Sequence, residues 1–319
     1  MKTPLRLLLS LLAALPVLAH SHSLPSQPEA MTIPELLAAF GWDAEKAEVR
    51  VQEVEDGFYV LFGLGGNIVV SSGEDGVLMV DDQIPAMIPK IRKAMQKQGD
   101  EDVDFAINTH WHFDHADGNK VLGEEGTWLV SHSNSRRMMQ RDAVVNLVGA
   151  AGLQEAYPKA ALPDITFDAH MQFHLNGEQV DLLHFGPAHT TGDAVVIFRG
   201  RNAVHMGDVY NNSGYPFIDA GNGGTLDGVI KTCQAVLDRI DANTVVIPGH
   251  GPLATRAELE QYVQMLEAVY EQMKAMIAEG KSLDEILAAG LTSTWDEKLG
   301  DPGMFINRSY VSLTTRYHD

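Results

Sequence analysis

Residues 108–119 read NTHWHFDHADGN and place His110, His112, Asp114 and His115 within six positions. Such side chains are costly to bury alone, because an imidazole or carboxylate inside a protein needs a hydrogen-bond partner, a counter-charge or a metal. The preceding run FAIN, 105–108, is strand-like. A fold for this chain must therefore end a rigid strand where a polar loop can wrap around something positively charged. Imidazole nitrogen and carboxylate oxygen hold zinc at about 2.0–2.2 Å, with three or four protein ligands. His110 and His112, two apart, reach one ion from an extended turn, and the adjacent Asp114 and His115 face a second ion a few ångströms away. The competing reading is a histidine-rich surface loop without a role, which H-x-H-x-D-H directly after a strand makes the weaker one.

Three more polar residues stand at strand ends. His189 in GPAHTTGDAVV lies just before a strand-like run, Asp208 in AVHMGDVY just past one, and His250 in VVIPGHGPL at the end of another. Each is marked by a Gly or Pro turn, and loops along one edge of an α/β sheet are where sites collect. Singly, a histidine at a strand end is ordinary; with the first cluster these residues make five histidines and two aspartates.

The frame around them is strands first, helices interleaved later. A helix is expected at 34–40. Strand-like runs rich in Val, Ile and aromatics follow at 49–54, 58–62, 67–72 and 77–80, separated by EDG, GLGGN and GEDG turns. A helix at 85–98 leads to the strand before the cluster. The second half carries strands at 179–185, 194–199, 203–206 and 244–247, and helices at 225–240, 255–278 and 282–289. This alternation predicts an α/β fold with two sheets covered by helices, in one domain over 20–319. The stretch 141–163 shows neither period and is expected to be an insertion or lid.

Residues 1–19 carry Lys2 and Arg6, then the apolar run LLLSLLAALPVLA. This is the pattern of a secretory signal peptide cleaved after Ala19, too short to span a bilayer comfortably; the alternative is an uncleaved anchor. The mature protein is expected to be periplasmic or secreted, with no membrane association after cleavage. Net charge is −20, and more negative once the two signal cations are gone. So acidic a chain repels phosphate backbones, which excludes nucleic acid as a partner and leaves a small-molecule substrate. Arg136, Arg137 and Arg141 read as a solvated helix face. The lone Cys233 can form no internal disulfide and, in GVIKTCQAVLDRI, reads as a small buried residue.

The motif HWHFDH at 110–115, followed in order by His189, Asp208 and the His250 of PGHG, resembles the metallo-β-lactamase-fold superfamily across nearly the whole mature chain. The resemblance implies a four-layer αβ/βα sandwich with the site at one edge between the sheets. It implies two Zn2+ per chain, the first held by His110, His112 and His189, the second by Asp114, His115 and His250, with Asp208 bridging. It also implies hydrolysis by a metal-bound hydroxide, with Asp114 orienting that hydroxide or relaying a proton to the leaving group. Similar proteins place an acid at Asp81, in VLMVDDQ, to brace the histidine loop; the alternative is that Asp81 and Asp82 are turn residues. Thr109 and Thr190 flank ligands, whereas His184 and His205 read as packed histidines, and His170 and His174 share a strand face. Candidate substrate walls are 62–67, with Phe62 and Leu64 as apolar tips, and 210–224, where Asn212 or Tyr215 is expected to donate to a developing oxyanion.

The expected function is an exported dinuclear zinc hydrolase with a β-lactam ring as first substrate, turned over modestly or promiscuously. Two features temper that substrate. Asp208 stands where two lactamase subclasses carry cysteine. Residues 202–230 contain no Lys or Arg, so Lys231 is the nearest cation for a substrate carboxylate. The alternatives are a lactone, thioester or ester hydrolase of lactonase or glyoxalase II type, whose members keep a bridging aspartate, and, more remotely, a non-catalytic periplasmic zinc-binding protein.

Overall fold

A computed structural model describes residues 27–100 and 102–315; the expected signal peptide lies outside the described residues. Strand β1 (Ala30–Thr32) runs into helix α1 (Ile33–Ala39), which starts on a capping box between Thr32 and Glu35. Such a box satisfies two amide groups that the first helical turn leaves without partners. An antiparallel meander follows: β2 (Arg50–Glu55), β3 (Phe58–Phe62), β4 (Ile68–Gly73) and β5 (Gly76–Val80). The helix expected at 85–98 is a 3-10 turn, Pro85–Met87, leading into α2 (Ile88–Gln96). It delivers the chain to β6 (Phe105–Asn108), parallel to β5.

Past the cluster come two single-turn helices, α3 (Phe113–Ala116) and α4 (Asn119–Leu122), then β7 (Trp128–His132) and α5 (Ser133–Met139). The stretch expected as an insertion or lid is structured. It forms the hairpin β8 (Ala143–Asn146) and β9 (Ala151–Gln154), and β9 pairs in parallel with β1 as a three-stranded sheet. Its pairing partner lies far upstream, so no local period announces it. Strand β10 (Ile165–Phe167) completes the first large sheet, ordered β10-β7-β6-β5-β4-β3-β2.

The second sheet holds β11 (His170–Leu175), β12 (Glu178–Leu183), β13 (Val195–Phe198), β14 (Ala203–His205), β15 (Val245–Ile247) and β16 (Ala254–Thr255), in that order. Helix α6 (Leu226–Leu237) crosses from β14 to the parallel β15. Helices α7 (Arg256–Ala278), α8 (Leu283–Ala288), α9 (Asp296–Leu299) and α10 (Gly303–Thr314) close the chain.

The two sheets pack face to face with helices outside each. Alternation along the strands shows it: in β3, Phe58 and Val60 enter the core between the sheets, while Tyr59 and Leu61 face the layer of α1 and α2. In β13, Val196 and Phe198 point inward, whereas Val195 and Ile197 meet α6, α7 and α10. Strands buried on both faces read as unbroken apolar runs, as FYVLF and VVIF do. This is the four-layer αβ/βα sandwich. Among the described residues, no helix is long and apolar enough to cross a membrane.

Candidate metal centre

The ends of β5, β6, β14 and β15 and the start of β13 fall on one edge of the sandwich, because β5 and β6, and β14 and β15, are parallel pairs while β13 runs against β14. That edge brings all seven expected ligands together. Donor atoms of His110, His112 and His189 lie within 4.8 Å of one another, as do those of Asp114, His115 and His250, and those of His110, His115 and Asp208. His112 Nδ1 is 2.9 Å from His189 Nε2, and His115 Nε2 is 3.1 Å from His250 Nε2. Two ligands on one tetrahedral zinc stand roughly 3.4 Å apart, given bonds of about 2.1 Å. Asp208 sits between the groups, its Oδ1 3.1 Å from His115 Nε2 and its Oδ2 3.8 Å from His189 Nε2.

Four imidazoles are locked in one tautomer by a bond on the ring nitrogen facing away from the cluster, which is how metal-binding histidines are held. His115 Nδ1 donates to Asp81 Oδ2 at 2.7 Å. Thr109 Oγ1 gives its own proton to that same oxygen at 2.8 Å and so accepts from His110 Nδ1 at 3.0 Å. His189 Nδ1 donates to the Phe217 carbonyl at 2.7 Å, and His112 Nε2 to Asp219 Oδ2 at 3.0 Å. Asp81 also accepts from the Thr109 amide at 2.7 Å and holds φ at +63°, a left-handed conformation uncommon for a non-glycine residue. Asp219 is absent from the expected set. It lies 107 residues from His112 in a Gly-rich loop, and nothing local in the sequence marks it.

The Gly-rich turn 62–67 acts differently from expectation. Leu64 lines a neighbouring surface pocket beside Trp42, and Phe62 lies under the Arg50 guanidinium. The working residues are Gly66, where an added Cβ would stand 2.2 Å from His115 Cε1, and Asn67, whose Nδ2 donates to the carbonyls of Pro248 and Gly251 and so clamps the His250 loop. Two further expectations are corrected. Asn212 donates to the Pro252 carbonyl at 2.9 Å and lines a separate cavity of about 330 Å3 with Tyr210 and Trp295. Tyr215 stacks on Phe305 of α10, with centroids 5.5 Å apart, and donates to Asp296 at 2.7 Å, so packing against the helical layer draws it away from the cluster. Asn211, one residue earlier, lines both that cavity and the metal pocket.

Other residues sit as expected. Thr190 donates to Asp193, steadying the His189 turn. His205 is buried and donates to the Asn67 carbonyl; His184 stacks on His132; Cys233 is free and buried. His170 lies 3.6 Å from Asp181 on the outer strand. Lys231, expected as the nearest cation for a substrate carboxylate, instead pairs with Asp227 one turn back on α6 and is not among the residues lining the pocket. Asp82 is buried beside Asp81, and burial with that neighbour pushes its carboxyl well up; it accepts from Asn108 within an amide network.

The electrostatics favour cations. Burial opposes charge on His250, yet Asp208 and Asp114 carry it up to about 10; His115 is raised well above the histidine range by Asp208, Asp114 and Asp81. Burial likewise opposes charge on Asp208, but His250 and His115 hold it well below the carboxylate range. On the other side, burial and three neighbouring imidazoles keep His110 neutral. Its Nε2 is buried with no hydrogen-bond partner. A buried lone pair without a donor beside an acid-rich group fits a divalent cation.

The family model described as the Metallo-beta-lactamase superfamily matches residues 61–250, more than half of the chain. Among solved structures, the DIM-1 metallo-beta-lactamase superposes with a TM-score of 0.56 at 18% identity, covering 70% of this chain and 99% of that one. A metallo-beta-lactamase from Pontibacter korlensis gives 0.55 at 16%, covering 69% and 99%, and VMB-1 gives 0.54 at 15%, covering 69% and 96%. At such identity these structures share the fold. With the family match running from β3 to the last ligand, His250, this chain belongs to the metallo-beta-lactamase superfamily and carries the donor set of a metal-dependent hydrolase.

Proposed function

We propose that the chain is an exported two-zinc hydrolase that opens an uncharged ester or lactone. The observation that carries this reading is the convergence of seven donors in two adjacent groups, with Asp208 between them, four of which (His112, Asp114, Asp208 and His250) line a cavity of about 390 Å3. Imidazole and carboxylate donors without thiolate suit zinc. The 1–19 leader supports export. When bound, a metal pair supplies Lewis acidity and makes water acidic near neutral pH. The chain's own residues do the rest. The braced imidazoles fix geometry. Asp114 Oδ2, 3.2 Å from His250 Nε2 and open to the pocket, is placed to take a proton and return it to a leaving group. Asn211 adds a neutral side chain to the pocket lining.

The β-lactam reading is supported by the fold shared with metallo-β-lactamases. The pocket wall favours the ester or lactone reading over it: among the described residues lining the pocket there is no Lys or Arg to anchor a substrate carboxylate. The test is hydrolysis of a γ-lactone, an aryl ester and a chromogenic cephalosporin by zinc-loaded mature protein, with and without chelator. Chelator-sensitive turnover of lactone or ester above that of cephalosporin supports the proposal. Faster cephalosporin turnover returns the β-lactam to first place, and no chelator-sensitive turnover leaves a metal-binding protein without hydrolase activity.

A further inference from the structure

The wall above the metal centre is built mainly from apolar side chains delivered by four separate segments. Phe40 and Trp42 follow α1, Leu147 comes from the β8–β9 hairpin, Phe217 from the loop after Asp208, and Met304 from α10. Phe40, Trp42 and Met304 all lie outside the family match at 61–250. The placement is not loose. Gly152 of β9 has no room for a Cβ against Leu36 of α1, where the gap would be 2.7 Å, and Trp42 meets Phe113 at 6.5 Å between centroids. Phe40 is nevertheless 46% exposed, one of few large apolar side chains so placed. An apolar side chain held in the open at a pocket mouth gains free energy only when something apolar covers it. Apart from the candidate ligands His112, Asp114, Asp208 and His250, the described residues lining the pocket carry no charge. Any anionic part of a ligand beyond reach of the metals meets no Lys or Arg there.

Resting on the hydrolase reading above, we infer that the non-reacting part of the substrate is an uncharged alkyl or aryl tail, laid against Phe40, Trp42, Leu147, Phe217 and Met304, and that this flank-built wall sets specificity. Phe217 is the part of this wall that meets the cluster, its ring 6.0 Å from His112 and 5.6 Å from His189 between centroids, and Phe40 is the exposed part. Each methylene buried there is worth about 0.8 kcal/mol when fully covered, roughly a fourfold gain in binding.

The test separates binding from turnover. Zinc-loaded protein is titrated calorimetrically with 2-alkylcyclopentanones from ethyl to hexyl, which match a lactone's ring and tail but cannot be hydrolysed, and with the hexyl analogue ending in a carboxylate. The expected result is an affinity rising about threefold per methylene and falling at least tenfold for the carboxylate. Phe40→Ala and Trp42→Ala are expected to reduce the slope to under twofold. Phe40 is half exposed, so its variant tests the wall even if Trp42→Ala fails to fold. An affinity flat in tail length, equal or tighter binding of the carboxylate, or an unchanged slope in Phe40→Ala overturns the inference. Tail-dependent binding without turnover of the matching lactones sinks the hydrolase reading and keeps the wall; turnover indifferent to tail length does the reverse.

Discussion

Asp81→Asn keeps the shape of the side chain and changes only the sense of its hydrogen bonds. In the native protein Oδ1 accepts from the Thr109 amide, and Oδ2 accepts from both Thr109 Oγ1 and His115 Nδ1. If the asparagine oxygen faces the Thr109 amide, its NH2 faces His115 Nδ1. That nitrogen must then accept, and the imidazole proton moves to Nε2, the atom 3.1 Å from both His250 Nε2 and Asp208 Oδ1. A protonated Nε2 cannot ligate. If the amide is turned the other way, NH2 opposes the buried Thr109 N–H. The lost bond is charge-assisted and fully buried, worth about 1.5–3 kcal/mol, which corresponds to roughly 10–100-fold in metal affinity and matches what supporting residues of metal sites typically contribute. Competitive titration of zinc against a chromophoric chelator reads each binding step. The Asp114–His115–His250 step should weaken by that factor, and the His110–His112–His189 step by less, because Asp81 reaches His110 only through Thr109 Oγ1. Both steps within threefold of native would refute the reasoning, because Asp81 would then not set the His115 tautomer.

Gly66→Ala places a Cβ 2.2 Å from His115 Cε1, so the ring must retreat by about 1 Å to reach ordinary contact; the same zinc step should weaken at least tenfold, and a native zinc titration would sink the claim. Asp219→Asn leaves Asn222 Nδ2 and His112 Nε2 competing as donors for one oxygen, so the first zinc step should weaken about tenfold while the second holds. Val148 holds φ at +69° at the tip of the β8–β9 hairpin, a strained state for a β-branched residue, so Val148→Gly should raise stability by up to about 1 kcal/mol, visible as a higher midpoint in urea. Burial works against charge on Asp181, yet Gln179, Gln172 and Arg199 hold it down to about 2. A carboxylate depressed in the folded state adds stability above its unfolded pKa near 4, and that contribution is lost as pH falls toward 2. Asp181→Asn should therefore cost about 1–2 kcal/mol at pH 7 and almost nothing at pH 2, and an equal cost at both would contradict it.

The parts of this fold that were legible are those with a local cause. Capping boxes at Thr255–Glu258 and Ser282–Glu285 start α7 and α8 within a residue of expectation, and the doubly buried strands show as apolar runs. The candidate ligands were legible because each borders a strand, His189 before one and the others after one, beside Gly- or Pro-marked turns. What the sequence hides is set at long range. Helix α10 reads GMFINRSYVSLT, poor in strong helix formers, and is helical because Phe305 and Tyr310 bury against the second sheet's helices. The β8–β9 hairpin depends on β1, more than a hundred residues upstream. Asn212 and Tyr215 share residues 210–224 with Asn211 and Asp219; the turns after Asp208, not residue type, decide that Asp219 reaches His112 while Asn212 and Tyr215 turn to Pro252 and Asp296.

The seven donors come from strand ends spread over residues 110–250, and only the hexapeptide 110–115 keeps several of them together in an unfolded chain. High affinity for a divalent metal would thus be a property of the completed sandwich, and metal binding and global unfolding would be linked equilibria. Free zinc at a thousand times its dissociation constant would add about 4 kcal/mol to the folded state, on the scale of a typical domain's whole stability. Metal supply would then govern how long each molecule survives proteases as well as how fast it turns over substrate, and a zinc-starved compartment would clear this protein rather than store it inactive.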